Sequence, residues 1–381
     1  MSPPQEWLPS LTHFALEAAI KRISAALDDT PSLLLNLGPA KSAAGAALIA
    51  PAIAAFPSVT FSAQVGAKPA DGKPGSALVP DMHMAAIAAK VICKLSKNTP
   101  GGAGNFNFAA TFNAPPGIPF FPAGYAPSPG AHRPHVSWAI GLENPDVVLQ
   151  GLAGTRSDAV PQAATAAAAA SACHGMGTST GAAAATAWKD AAVNLHKVIE
   201  DALLAVQLVA CDIEESTGVP YNGVDASVAP AVAGPSLVQA YEVLLGERGF
   251  GGPGTLAVSR MITGVLAALR EAGKVRMTGY CGLMLPPLED TGLAAAMERK
   301  AVTVPDIMMY SSVCGLGLDT VPVPGDTAPG AIMLRMADLA ALAYKLDKPL
   351  SCRLFPVPGK VAGDRVVFDS PHMVDGVVVA L

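Results

Sequence analysis

Apolar residues recur at intervals of three and four along several stretches of the 381-residue chain, and short apolar runs stand between them. The first stretch, Leu11 to Ala26, places Phe14, Ala18, Ile20 and Ile23 near helical spacing and stops at Asp28-Asp29-Thr-Pro. Pro31-Ser-Leu-Leu-Leu-Asn-Leu-Gly then reads as a short buried strand, Lys41 to Ala55 as an apolar helix, and Ser58-Val-Thr-Phe-Ser-Ala-Gln-Val as a second strand. A loop rich in Gly, Pro and Lys from Ala67 to Pro80 precedes a helix from Met82 to Leu95, in which His83 reads as a surface or cap residue. Asn105-Phe-Asn-Phe-Ala-Ala-Thr-Phe-Asn alternates as a half-buried strand does. The proline-rich run Pro115 to Pro122 excludes helix and regular sheet, so Phe120 and Phe121 sit on a rigid loop that either covers one end of the fold or walls a substrate site.

The second half repeats the pattern. Strand Val136 to Glu143 follows His132 and His135, whose pairing as metal ligands competes with a plain surface reading. The alanine-rich segment Pro161 to Ala187 reads as two helical pieces around a polar turn containing Cys173 and His174. Trp188 to Ser216 is the clearest amphipathic helix, ended by Gly218 and Pro220. Strand Tyr221 to Pro230 comes next, then helices Ser236 to Leu245 and Thr255 to Ala272 around a glycine-rich connection. Strand Lys274 to Leu285, helix Thr291 to Lys300, a Val-Pro-Val-Pro strand at 321–324, helix Gly330 to Leu346 and strands at Leu350 to Phe355 and Arg365 to Phe368 complete an α/β series.

Composition refines this picture. Half the residues are hydrophobic (51%) but only 5% are aromatic, so the core is built from Ala, Val, Leu and Gly, which suit helices packed closely on a sheet. A net charge of −5 and a pI near 5.8 without a basic run give no footprint for nucleic acid. No apolar run reaches the roughly 18–20 residues that a membrane span needs, and no cationic segment followed by an apolar one marks the N-terminus, so neither membrane nor secretory signal is expected. Six scattered cysteines without a C-x-x-C pair fit a reducing, cytoplasmic setting better than a disulfide scaffold.

With only 14% charged residues, polar clusters stand out. Ser311 to Asp326 gathers Cys314, Asp319, Asp326, two serines and three glycines within sixteen positions. In the strand after Gly218, Asp225 and Ser227 point to one side at period two, beside Asn222, and a buried carboxylate there needs a partner or a ligand. Cys281 and Glu289 flank the end of a predicted strand, where α/β folds place sites, though Glu289-Asp290 equally suits a helix start. Arg353 is the natural group to grip a carboxylate or phosphate.

Three motifs together, Gly279-Tyr-Cys-Gly-Leu-Met-Leu-Pro-Pro-Leu-Glu-Asp, Tyr310 to Thr327 and Arg353-Leu-Phe-Pro-Val-Pro-Gly-Lys, resemble the uncharacterised domain-of-unknown-function 711 family, with Tyr221 to Pro230 and Asn105 to Phe121 extending the likeness. The resemblance implies one α/β barrel domain over residues 1–381, like the ten-stranded barrel of pyruvate formate-lyase and other glycyl radical enzymes, built as two five-stranded halves. The glycyl loop of those enzymes is missing: Arg365-Val366-Val367 runs into Phe368, which removes stored-radical chemistry.

The leading expectation is a cytosolic, non-radical enzyme for a small polar metabolite, with Cys314 as nucleophile or thiol acid/base, Asp319 or Asp225 moving protons, and Asn222, Ser227, Cys281, Glu289, Asp326 and Arg353 binding the ligand. The second is a hydrolase or lyase whose carboxylates, Asp225, Glu289, Asp319 and Asp326, hold a divalent metal ion. The third is a metabolite-binding or regulatory protein without catalysis. A homo-oligomer is left open.

Overall fold

The computed structural model describes residues 13–26, 34–66, 80–125, 136–153 and 178–381. The glycine- and proline-rich stretch at 67–79, the pair His132 and His135, and the turn with Cys173 and His174 lie outside them. Contacts divide the chain into two compact units, one of Met1–Ala139, Leu316–Phe368 and Val377–Leu381, the other of Ile140–Gly315 and Asp369–Gly376. The boundary at Gly315 and Leu316 cuts the Ser311 to Asp326 stretch in two.

The first unit carries helices α1 (His13–Ala26), α2 (Ala43–Ala47), α3 (Ile49–Ala55), α4 (Met82–Asn98) and α11 (Pro329–Leu346). Its strands β1 (Leu35–Ala40), β2 (Val59–Gly66), β3 (Phe108–Phe112), β6 (Gly317–Pro324) and β7 (Leu350–Val357) form one sheet in the order β1-β2-β3-β7-β6. All neighbours run parallel except β3 with β7. The helix expected from Lys41 to Ala55 is split at Leu48 into α2 and α3. The half-buried strand expected from Asn105 begins only at Phe108, because Pro100–Asn107 winds as a 3-10 helix through Gly101 and Gly102 at positive φ. Pro322 and Pro324 fit β6 because it is an edge strand, where a missing N–H breaks no ladder on the open side.

The two faces of this sheet differ. Side chains alternate along a strand and paired residues share a face, so the registers place Phe61, Ala63, Phe108, Ala110, Phe112, Leu350, Cys352, Leu354 and Leu318 together. Helices α3, α4 and α11 contact the sheet with their own buried apolar residues, including Ile53, Ile92 and Met336. The opposite face carries Asn36, Thr60, Ser62, Thr111, Ser351, Arg353 and Asp319, every one of them buried.

The second unit contains α5 (Pro145–Ala153), α6 (Thr178–Thr217), α7 (Leu237–Leu245), α8 (Thr255–Ala272), α9 (Thr291–Glu298) and α10 (Val304–Tyr310). Strand β5 (Tyr221–Ala229) pairs with β4 (Trp138–Glu143), whose last four residues belong to this unit. The strand expected from Lys274 to Leu285 is absent as a regular element; isolated parallel bridges join Val224 to Met277 and Val228 to Leu283. Between the bridges Gly279 (φ +72°) and Cys281 (φ +45°) turn the backbone left-handed and send the N–H groups of Tyr280 and Cys281 to the Asp225 carboxylate instead of a strand. The minor pairing of β8 (Arg365–Val366) with β9 (Gly376–Val377) ends the chain's α/β series. Among the described residues no helix is long and apolar enough to cross a membrane.

Candidate functional site

The polar face of the five-stranded sheet concentrates the chemistry of the first unit. Ser62 pairs with Ala109. Because Ala110 pairs with Cys352 in the antiparallel ladder, Ala109 stands opposite Arg353, and a register shift between Leu318 and Val321 sets both Asp319 and Thr320 against Arg353. One row thus crosses four strands as Ser62, Ala109, Arg353 and Asp319. Ala109, buried like its neighbours, contributes only a methyl group between Ser62 and Arg353, two strand spacings or roughly 10 Å apart.

Arg353 and Asp319 form a buried two-point ion pair: Nη2 donates to Oδ2 at 2.8 Å and Nε to Oδ1. The guanidinium lies over the ring of Phe106, 5.1 Å from its centroid, and Nη1 reaches the Phe106 carbonyl at 3.4 Å. Phe106 is presented there by the 3-10 turn that replaces the expected start of β3. On the other side of the row, Asn36 Nδ2 donates to the Pro122 carbonyl at 3.0 Å, which fastens the proline-rich loop to the polar face at β1. Tyr125 closes the same loop by donating from its hydroxyl to the Ala114 carbonyl at 2.8 Å.

Three hydroxyls in this unit lack a hydrogen-bond partner although they are buried: Thr60 Oγ1, Ser62 Oγ and Thr320 Oγ1. Asn105 Oδ1 shares that condition. An unsatisfied buried hydroxyl is destabilising by roughly 1–3 kcal/mol, so three in one sheet set it apart from an ordinary core. Thr320 adds backbone strain, with φ at +44° in the bulge beside Asp319, a region that β-branched residues avoid.

The second unit holds the other expected residues in a different arrangement. Asp225 accepts four hydrogen bonds, on Oδ1 from Ser227 N, Ser227 Oγ and Cys281 N, and on Oδ2 from Tyr280 N. Burial raises its pKa, against the pull of those donors. A Cβ on Gly279 would lie 2.0 Å from Asp225 Oδ2, so the close approach depends on that glycine. With its acceptors used, Asp225 serves to tie β5 to the turn at 278–282. Ser227 Oγ also accepts from Gly282 N at 3.1 Å. Cys281 donates to the Thr278 carbonyl, and burial followed by the Asp225 charge pushes its thiol up to about 11, which disfavours the thiolate.

Cys314 is buried in the turn after α10, its N–H on the Tyr310 carbonyl. The next residue, Gly315, packs against Gly282, where an added Cβ would come within 2.3 Å of the Gly315 Cα. Asn222 is exposed on β5, and Glu289 is half-buried just before α9. Its neighbour Asp290 caps α9 through Gly292 N and Leu293 N while also accepting from Ser236 Oγ and Leu237 N at the start of α7. Asp326 is exposed in the turn after β6. The structure therefore joins Asp225, Ser227 and Cys281 in one network and Asp319 with Arg353 in another, within different units. Among the described residues no three His, Cys, Asp or Glu side chains gather as a metal-holding group.

Thr60, Ser62, Asn105, Phe106 and Thr320 escaped the sequence reading. Alternation in Val59-Thr-Phe-Ser-Ala-Gln-Val carried a signal for two of them: threonine, serine and glutamine fall on one side of an otherwise apolar strand.

The sequence is similar to several uncharacterised proteins of archaea and bacteria. A UPF0210 protein of Pyrobaculum aerophilum is 33% identical over 177 residues, 45% of this chain and 39% of that protein. One from Pyrobaculum arsenaticum is 29% identical over 261 residues, covering 68% and 50%, and one from Desulfovibrio desulfuricans 26% over 291 residues, covering 76% and 58%. The chain spans about half the length of the curated relatives it matches. Residues 40–369, a range that includes both units, match the family described as Uncharacterised ACR (DUF711), and the chain belongs to that family.

Proposed function

We propose that the chain is an enzyme for a small polar metabolite, bound against the polar face of the five-stranded sheet. Its support is one observation: the partnerless buried hydroxyls of Thr60, Ser62 and Thr320 lie in the sheet that carries the buried Asp319–Arg353 pair. In this reading the hydroxyls and Arg353 orient the metabolite, the loop at 114–125 walls it, and Asp319, held by two guanidinium contacts, takes or returns the proton. Cys314 and Asp225 carry no step. The fold that goes with the reading is the ten-stranded barrel, and the five strands of the sheet are its support.

Native mass spectrometry of the purified chain is expected to show a retained small molecule, and incubation with that molecule a turnover that Asp319→Asn abolishes while binding persists. Binding with no turnover in the unaltered chain would leave a recognition protein in place of an enzyme. Turnover by Asp319→Asn at the unaltered rate would remove the proton role.

A further inference from the structure

Between α6 and α8 of the second unit runs an open groove of about 480 Å³, within the roughly 300–1,000 Å³ of small-molecule sites. Val193 of α6 and Met261, Val265 and Ala268 of α8 supply its apolar lining, and Val193 is 71% exposed. Its polar groups are His196, one turn after Val193, and the exposed Arg260. Among the described residues neither side chain has a hydrogen bond or ion pair, and no carboxylate lines the groove. Glu200, the acid one turn past His196, is held by Lys274 at 2.7 Å.

Gly264 shapes this groove. It stands inside α8, where glycine is the poorest helix former apart from proline. Neither a left-handed backbone nor contact with a neighbouring helix requires it: a Cβ there would meet only the Arg260 side chain, 2.6 Å from Nη1. Arg260 and Gly264 are four apart and share one face of α8, so the missing methyl lets the guanidinium lie back along the helix within the groove. A permanent positive charge is thereby set beside apolar carbon without a counter-charge.

We infer that this groove takes an amphipathic monocarboxylate, its carboxylate on the Arg260 guanidinium and its hydrocarbon body along Val193, Met261 and Val265. The site lies in a different unit from the polar face of the sheet and does not depend on it. The guanidinium is a planar fork that matches a carboxylate and is charged at every working pH, and the His196 imidazole on the facing helix has an N–H to donate in either protonation state. One permanent cation suits one negative charge, and the lining removes hydrocarbon from water. The lining spans roughly 12 Å of α8 from Arg260 to Ala268, room for a carboxylate of about eight carbons.

Isothermal titration of the full chain tests this with octanoate, and with 1-octanol and acetate, which keep only the chain or only the charge. The expected result is saturable binding of octanoate, with 1-octanol and acetate each at least about tenfold weaker. Arg260→Gln is expected to weaken octanoate at least about fivefold while 1-octanol binding and the melting temperature stay as they were. Gly264→Ala improves the helix and displaces the guanidinium, so its melting temperature should equal or exceed that of the unaltered chain while octanoate binding falls. A glycine kept only for folding would not separate the two. Binding of 1-octanol as tight as that of octanoate overturns the carboxylate assignment. Octanoate binding that either variant leaves unchanged, or no octanoate binding at millimolar concentration, overturns the site.

Discussion

Asp319 meets Arg353 at the one point in β6 where two residues oppose a single residue of β7, with Nη2 on Oδ2 at 2.8 Å and Nε on Oδ1. The bulge sets two consecutive residues against one partner: Asp319 binds the guanidinium, and Thr320 takes the strained backbone.

Removing one member of this pair strands the other charge in the interior. Arg353→Ala and Asp319→Ala are each expected to lower stability by about 3–5 kcal/mol, and the double replacement Asp319→Leu with Arg353→Met to cost less than either single one. Urea denaturation of the four proteins compares them. A double variant less stable than both singles would contradict it.

Thr320 holds φ at +44° and buries a hydroxyl without a partner. Glycine adopts that backbone freely, at the expense of a more flexible unfolded chain. Thr320→Gly is therefore expected to leave stability unchanged or raise it by up to about 1 kcal/mol, while ligand affinity drops. A thermal melt paired with a binding titration checks both signs.

Gly282 and Gly315 bring two backbones together, and a Cβ at either position would fall 2.3 or 2.6 Å from a partner Cα. Because the obstacle is backbone, it cannot rotate away. Gly282→Ala and Gly315→Ala are each expected to destabilise by at least about 1–3 kcal/mol, the range for forced overpacking, with loss of folded yield as the extreme. Wild-type melting of either variant would refute the close approach.

Cys281 gives a pH prediction. Its thiol stays protonated in the fold to about 11, whereas an unfolded thiol ionises near about 8.5. Between those values the unfolded chain binds fewer protons, so stability is fully present below the lower value and falls as pH rises through the window. The fall in denaturation midpoint from pH 8 to pH 10.5 should be larger in the unaltered chain than in Cys281→Ala, where Cys352 and the buried tyrosines, whose pKa values burial also raises, still contribute. Alkylation of Cys281 at pH 8 should be slow until denaturant is added.

Periodicity located the elements whose burial is one-sided and long, such as α4, α8 and α11, because a 3.6-residue repeat over several turns has few competing readings. It failed between Lys274 and Leu285, where the same apolar alternation is interrupted by a carboxylate 50 or more residues away: Asp225 takes the N–H groups that a strand would spend on a neighbour. It failed again at Asn105, where Gly101 and Gly102 permit a tight turn that alternation cannot register. Arg353 and Asp319 were both legible as candidates, each for a separate task, but their 34-residue separation hid that they bind each other. Thr60 and Ser62 were passed over because a hydroxyl in a strand is ordinary until its partners are counted in three dimensions.

Ala109 sits between Ser62 and Arg353 in the register, and its side chain is a single methyl group on the floor of the row. At 1% exposure it is packed on every side, so a larger residue there would have to displace its neighbours. The position therefore behaves as core, where an added methylene is destabilising by about 1–3 kcal/mol, although its neighbours along the row are polar.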